Sequence, residues 1–158
     1  MMPLLVDERM VQASSRLSFL RMAMFTLRNM ENWRKLIDDC EKAMILLAVS
    51  AIGGERFARG EPLEAELWDL RNSFPQERLR SCSVSSVAAA TGFNRETTRR
   101  KVNELIEAGI LMRASNGRLR YTPGFIDADN ATELIRKQLE ALVRVANDLM
   151  RDGVITSN

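Results

Sequence analysis

The sequence predicts a mainly helical fold with one small β-hairpin, and three observations support this class. Apolar residues recur at spacings of three, four and seven over most of the 158 residues, which is the period of a helix that buries one side. Aromatic residues make up only 6% of the chain while Leu, Ala, Met and Arg are frequent, and that composition favours helices. Two short β-prone runs surround Asn116-Gly117, a dipeptide typical of tight hairpin turns.

Two helices are predicted before residue 55. The first extends from about Asp7 to Met30, and its apolar positions are Met10, Leu17, Leu20, Met24 and Leu27. Asn32 is expected to cap the second helix, since its side-chain oxygen can accept hydrogen bonds from the first free amides. After Met44 the second helix is apolar on nearly all sides, which predicts a central position. The pair Gly53-Gly54 is expected to end it, because glycine readily adopts the C-cap conformation.

The segments before and after residues 82–126 differ in the strength of their apolar periodicity. Residues 55–81 have a weak periodicity, which predicts a loop or short-helix insertion, with a helix at Pro62–Asn72 as its best-defined part. The C-terminal segment has a strong periodicity, which predicts a long helix from about Ala128 to Arg151.

Between these segments, the chain predicts a helix, a glycine turn, a second helix and a hairpin. The first helix covers Val84–Ala90, and Gly92 supplies a turn that a Cβ would hinder. The second helix begins after Asn94, which can cap it, and Gly109 ends it. The hairpin occupies residues 110–122. This order is that of a winged helix-turn-helix, so the predicted fold is a winged helix-turn-helix flanked by N- and C-terminal helices.

The flanking helices carry wider apolar faces than a small winged domain needs. We therefore predict three parts: residues 1–30 as an N-terminal packing or dimerisation helix, residues 31–126 as the winged helix-turn-helix with the insertion at 55–81, and residues 127–158 as a C-terminal packing or dimerisation helix. Together the two flanking helices are expected to build a homodimer. The alternative is that they pack only within one chain.

Composition argues against several classes of function. The chain contains no histidine, which removes histidine-based catalysis and the commonest zinc ligand. No phosphate-binding glycine motif is present, and the two cysteines, Cys40 and Cys82, are far apart in the chain, as in reduced proteins. We expect no enzyme activity, cofactor, metal or membrane segment, and a cytoplasmic location.

Positive charge is concentrated in the predicted winged region. Residues 83–123 contain seven basic and three acidic residues, a local charge of +4, whereas the whole chain has a net charge of +2. Four of the basic residues fall in one short segment, Arg95, Arg99, Arg100 and Lys101, and we expect them to face a DNA groove. The alternative is a solvated helix face with Arg–Glu pairs.

The stretch VAAATGFNRETTRRKVNELIEAGIL, residues 87–111, resembles the winged-helix transcriptional regulators of the GntR, MarR and IclR type. In those families a glycine, an apolar residue and a polar cap precede a recognition helix that contains R-x-T-[VT]-R, and a leucine and a glycine lead into the wing. The matching residues here are Gly92, Phe93, Asn94, Arg95, Thr97, Thr98, Arg99, Leu105 and Gly109. The chain departs from the pattern at two positions. Thr98 stands where those families often have Val or Leu, and Lys101 stands where they often have Ala.

The resemblance implies a bacterial regulator of transcription that binds double-stranded DNA. Base contacts are expected from Arg95, Glu96, Thr97 and Arg99, because Arg can bind guanine and Glu can accept from cytosine. Arg100 and Asn103 are expected to contact bases or phosphates, and the wing residues Arg118 and Arg120 the minor groove or its phosphates. The alternative function is a winged-helix protein-interaction module without specific DNA binding.

Overall fold

The structure is a computed structural model that describes residues 3–157. In chain order its elements are β1 (Leu4–Val6), α1 (Glu8–Ala13), α2 (Ser15–Arg34), α3 (Cys40–Ala58), α4 (Val84–Thr91), α5 (Arg95–Glu107), β2 (Leu111–Arg113), β3 (Leu119–Tyr121), α6 (Ala128–Arg151) and β4 (Ile155–Ser157). The predicted mainly helical class with a small antiparallel hairpin is therefore confirmed, and the bounds of α6 are those predicted.

The chain forms two compact units. The terminal unit combines the residues up to Leu36 with those from Glu133 onward, and the central unit comprises Ile37–Thr132. The boundaries fall a few residues after those predicted at 30/31 and 126/127. The central unit contains α3, α4, α5 and the β2–β3 hairpin. The terminal unit contains β1, α1, α2, β4 and most of α6.

The first two predicted helices have different bounds in the structure. The predicted helix at Asp7–Met30 is interrupted at Ser14, which separates α1 from α2. The prediction that Asn32 caps the next helix is wrong, because α2 continues through Asn32 to Arg34. The actual cap of α3 is Asp39, whose carboxylate accepts from the Lys42 amide at 3.0 Å.

The prediction that Gly53-Gly54 ends α3 is also wrong, since the helix continues to Ala58. Gly53 lies close to the segment that follows the helix: a Cβ there would come within 4.0 Å of the Leu79 side chain and the Arg80 carbonyl oxygen. The Arg80 amide also donates to the Gly53 carbonyl at 3.0 Å. Both Cβ distances are ordinary van der Waals contacts, so a Cβ at Gly53 would fit and the structure gives no steric reason for glycine at this position.

The insertion contains less helix than predicted. Instead of a helix over Pro62–Asn72, a single 3₁₀ turn covers Ala65–Trp68, and a second covers Gln76–Arg78. The Asp69 carboxylate explains where the first turn stops, because it accepts from the Arg71 amide at 2.9 Å and from the Arg71 guanidinium. This local hydrogen bonding competes with continuation of the helix.

The core of the central unit forms around α3, as its all-round apolar sequence predicts. Ile45 is fully buried and belongs to a core cluster that also contains residues of α4, α5 and the hairpin. The other buried members of this cluster are Leu46, Ala48, Val49, Cys82, Val87, Val102, Leu105, Leu111 and Leu119. The Tyr121 hydroxyl donates to the Leu46 carbonyl at 2.8 Å and lies 3.0 Å from the Ser50 hydroxyl, which fixes β3 to α3.

Two sequence signals set the angle between α4 and α5. Gly92 ends α4 in the left-handed conformation with φ 74°, and its amide donates to the Ala88 carbonyl. Asn94 then caps α5, because its side-chain oxygen accepts from the Thr97 amide at 2.8 Å. Thr98, which departs from the family pattern, is fully buried, and its hydroxyl donates to the Asn94 carbonyl at 2.9 Å.

We expect Gly92→Ala to lower the free energy of unfolding by about 1–2 kcal/mol, because an L-residue is strained in the left-handed conformation. Gly54→Ala is the matched control: a Cβ at either position meets no atom within 4 Å, but Gly54 lies in a helix without positive φ. There alanine is expected to raise the free energy of unfolding by up to about 1 kcal/mol. Urea unfolding followed by circular dichroism measures both changes. Equal changes would contradict this explanation.

The hairpin pairs Leu111 with Tyr121 and Arg113 with Leu119. Its turn contains Asn116 and Gly117, as predicted, with Gly117 at φ 74° and the Ala114 amide donating to the Arg118 carbonyl at 2.8 Å. Beyond the hairpin, the Leu119 amide donates to the Cys82 carbonyl at 2.8 Å. This bridge ties the start of α4 to the hairpin.

The terminal unit contains a strand pair that the sequence did not predict. β1 pairs antiparallel with β4, so that Leu4 lies opposite Ser157 and Val6 opposite Ile155. Arg21 of α2 also contacts α6, because its guanidinium binds both Asp148, at 3.1 Å, and Asp152. A small core of Val145, Leu149 and Val154 lies beside these contacts.

Candidate nucleic-acid interface

The predicted recognition helix, α5, has one buried and one exposed side. Thr98, Val102 and Leu105 are 1% exposed or less and attach it to the core. The exposed side carries the charged residues Arg95, Glu96, Arg99 and Arg100. The hairpin that carries Arg113, Arg118 and Arg120 follows α5 directly and belongs to the same unit.

Arg99 and Glu96 form an ion pair along the exposed side of α5. The Arg99 Nη2 lies 2.6 Å from Glu96 Oε1 and its Nε lies 3.1 Å from Oε2. The guanidinium lowers the pKa of Glu96 by hydrogen bonding and by its charge. Because a guanidinium has five N–H groups, three of those on Arg99 remain for another ligand. The pair therefore holds Arg99 in a defined direction without using all its donors.

Arg95 and Arg100 differ in how they are held. Within residues 3–157, the Arg95 side chain has no ion-pair or hydrogen-bond partner, and it is exposed in the first turn of the helix. Arg100 is also exposed, at 60% of its side chain, and makes a 3.4 Å contact with Glu104. Both guanidinium groups are therefore accessible to a ligand in solution.

Thr97 and Asn103 are less accessible than the charged residues, since both are half-buried. Thr97 is one turn before Lys101 and shares its side of the helix, about 160° around the axis from Arg99. Asn103 lies under the hairpin, where its side-chain oxygen accepts from Arg113 Nη2 at 3.4 Å. The structure thus separates Thr97 from the exposed side that carries Arg99 and connects Asn103 to the wing.

The two wing arginines differ in exposure. Arg118 is exposed beside the turn. Its charge also reaches Cys82 at the start of α4: burial raises the pKa of the Cys82 thiol, and Arg118 partly offsets the rise. Arg120 is half-buried in the middle of β3, and its Nε is buried without a hydrogen-bond partner among the described residues. Only the end of the Arg120 guanidinium is therefore available to a ligand.

Lys101 does not face a groove with the other basic residues, and that part of the expectation is wrong. Its side chain is only 13% exposed, and its ammonium group pairs with Asp39 and, at 3.4 Å, with Glu41. The hydrogen bond to Asp39 raises the pKa of Lys101. Asp39 lies 62 positions earlier in the chain, so nothing in the local sequence of α5 predicts this pair.

Two further features bear on the expected function classes. Among residues 3–157, no group of three or more cysteine, aspartate or glutamate side chains is arranged to hold a metal ion. No helix within the same residues is long and apolar enough to cross a membrane.

Comparison of the chain with protein-family models, with curated proteins and with solved structures finds no match.

Proposed function

We propose that this chain is a cytoplasmic regulator of transcription that binds double-stranded DNA sequence-specifically as a homodimer. In this proposal α4, Gly92, α5 and the β2–β3 hairpin act as a winged helix-turn-helix. The observation that carries it is the exposed side of α5, where Arg95, Glu96, Arg99 and Arg100 lie together and precede a hairpin that carries three more arginines.

The dimensions of α5 support its insertion into the major groove. It has 13 residues, so its axis is about 20 Å long, and a helix of about 10–12 Å diameter fits the groove. Arg99 can bind guanine O6 and N7 through its remaining N–H groups. Glu96 orients Arg99 in this arrangement, which is a better-supported role than the expected contact with cytosine. Arg95 is free to contact a base or a phosphate.

The wing supports a second set of contacts. Arg118 can bind phosphate or enter the minor groove from the turn, and the exposed end of Arg120 can bind a phosphate beside it. Asn103 and Arg113 connect the wing to α5, so that both parts keep one spacing when they bind. Arg100 extends the basic surface beyond the base-facing residues.

Exposed apolar side chains in the terminal unit support a homodimer. On α2, Leu27 is 70% exposed and Met24 is 55% exposed; on α6, Leu139 is 54% exposed and Val143 is 57% exposed. The apolar stripe of α2 has spacings of three and four and consists of Leu17, Leu20, Met24 and Leu27. The apolar stripe of α6 has spacings of four, three and one and consists of Ile135, Leu139, Leu142 and Val143. Monomers rarely leave apolar patches of this kind uncovered, and helices with such spacings pack against like helices. A second copy would also supply a second recognition helix.

A DNA selection with the purified protein tests the proposed function. Random duplexes should yield a two-fold-symmetric site whose half-sites lie roughly 10 base pairs, or a multiple of that, apart. Affinity for that site should fall linearly with salt on a log–log plot, with a slope of about −0.9 per phosphate contact.

The selection also distinguishes the alternative function. If no sequence is enriched and binding disappears at physiological salt, the proposed function is contradicted. The basic side of α5 would then be a surface for an acidic protein partner. An enriched site without two-fold symmetry would support DNA binding but contradict the homodimer.

A further inference from the structure

Two ion pairs connect α5 to α3 in opposite directions. Lys101 of α5 pairs with Asp39 at the start of α3, and Lys42 of α3 pairs with Glu104 of α5 at 2.9 Å. Each helix thus supplies one cation and at least one anion to the other. We name these four residues, Asp39, Lys42, Lys101 and Glu104, the crossed brace.

The crossed brace is more shielded from water than the other ion pairs of α5. The side chains of Lys101 and Asp39 are 13% and 24% exposed, whereas those of Arg99 and Glu96 are 55% and 72% exposed. Exposed pairs contribute at most about 1 kcal/mol, which can favour one direction of a single side chain such as Arg99 but does not fix the position of a whole helix. When a shielded pair separates, water cannot fully replace the lost partner and each charge is left poorly compensated, so the pair favours one geometry, provided its hydrogen bonds are made.

Asp39 is itself fixed, so Lys101 is tied to a defined point. One carboxylate oxygen of Asp39 accepts from the Lys42 amide at 3.0 Å and caps α3, while the other pairs with Lys101. Burial raises the pKa of Asp39, but these hydrogen bonds outweigh it and the pKa is lowered overall. The carboxylate therefore stays charged under physiological conditions and anchors Lys101 to the first turn of α3.

The fully buried contacts of α5 form one narrow stripe. Thr98, Val102 and Leu105 lie within about 60° of one another around the helix axis, so a contact on the flank of this stripe adds a restraint on rotation that the stripe alone does not give. Lys101 lies on one flank of this buried stripe, about 60° around the helix from Thr98. Arg99 lies about 100° away on the other flank. Rotation of α5 would therefore stretch the Lys101 contact as it displaces Arg99.

We propose that Lys101, through Asp39, is a positioning residue that fixes the rotation of α5 and thereby its choice of bases, without touching DNA. This rests on the proposed function. Base-reading side chains need to be held within about 10–20° of their productive direction. The crossed brace supplies such a restraint on the flank of α5 that lies opposite Arg99.

Three substitutions test the role of the crossed brace. Lys101→Met keeps the length of the side chain and removes its charge. Asp39→Asn removes the anion but keeps an oxygen that can cap α3, since Asn and Asp are comparable caps. Lys101→Arg keeps a cation and should restore function. The control is Lys137→Met on α6, which removes a lysine whose 3.0 Å partner, Glu133, lies in its own helix.

The measurement compares affinity for the selected DNA site with affinity for the same site carrying one base-pair change in each half-site. Lys101→Met and Asp39→Asn should each reduce this ratio by about fivefold to tenfold, a part of what a well-aligned bidentate contact contributes. Lys101→Arg and Lys137→Met should leave the ratio within about twofold. The slope of affinity against salt should not change for any variant, because none of these residues binds phosphate.

The outcomes separate this proposal from the proposed function. If Lys101→Met keeps the ratio but makes the salt slope shallower by about one, Lys101 is a phosphate contact and the proposal is wrong. An unchanged ratio and slope for both charge-removing variants also overturns it. Unfolding curves identify any variant that fails to fold, and Asp39→Asn remains informative if Lys101→Met does. A wild-type protein that selects no site contradicts the proposed function itself.

Discussion

Leu139→Glu is expected to convert the proposed homodimer to a monomer and to raise its dissociation constant at least a hundredfold. Leu139 is 54% exposed in one chain and lies in the apolar stripe of α6. In a two-fold interface each substitution occurs twice, so two carboxylates would have to be buried without partners. Such uncompensated burial costs about 3–5 kcal/mol, and about 1.4 kcal/mol corresponds to a factor of ten. Analytical ultracentrifugation should then give a mass near 17.9 kDa instead of twice that value.

Leu70→Glu is the matched control for this substitution. Leu70 is 45% exposed and belongs to the central unit, outside the apolar stripes. The same charge there should leave the dimer intact. DNA affinity adds a second measurement, since a monomer contacts only one half-site at a time and should bind the full site far more weakly. Loss of the dimer with Leu70→Glu, or its retention with Leu139→Glu, would place the interface elsewhere.

Arg99→Ala is expected to weaken binding to the selected DNA site by about tenfold to a hundredfold and to relax specificity at one base pair of each half-site. The reason is the loss of a guanidinium that Glu96 holds in position and that keeps three free N–H groups. Affinity for random DNA should fall much less. Fluorescence anisotropy with the selected site and its single-base variants measures both quantities.

Arg59→Ala provides the corresponding control. Arg59 is 79% exposed and pairs with Glu55 at 2.8 Å, so it too is an exposed arginine held by a glutamate. It follows the last turn of α3, roughly 30 Å along that helix from Asp39. Its loss should change neither affinity nor specificity. If the two variants behave alike, Arg99 does not read a base and α5 is not the recognition helix.

Local sequence signals predicted the elements whose ends are set locally. The bounds of α6 follow from an apolar stripe along the whole helix, and α5 begins at Asn94 because its side chain caps the helix. Gly92 and Gly117 mark turns that need positive φ, and both glycines have it. At the start of α5 and at both glycine turns, the residue that determines the local structure lies within one helical turn of the feature it determines.

The features that sequence analysis missed depend on distant residues. Both Asn32 and Asp39 are residue types that cap helices well, and the local sequence does not show that α2 continues past Asn32 and that α3 uses Asp39. Gly53 lies within α3, and its carbonyl accepts from the amide of Arg80, more than 25 positions later. The same holds for the candidate site, where the charge pattern predicted the exposed arginines of α5. It could not show that Lys101 pairs with Asp39, since proximity in the fold is not visible in the spacing.

The pairing of β1 with β4 has a consequence for how a nascent chain folds. Residues 37–132 are continuous, so the central unit can fold as soon as they have left the ribosome, and domains generally fold in this way during synthesis. The terminal unit forms later, because β1 precedes the central unit in the chain and its partner Ile155–Ser157 follows α6. Until then Phe25 of α2 lacks Val145, Leu149 and Val154, the core against which it packs. A chaperone that binds exposed apolar helices would therefore find its target in this interval.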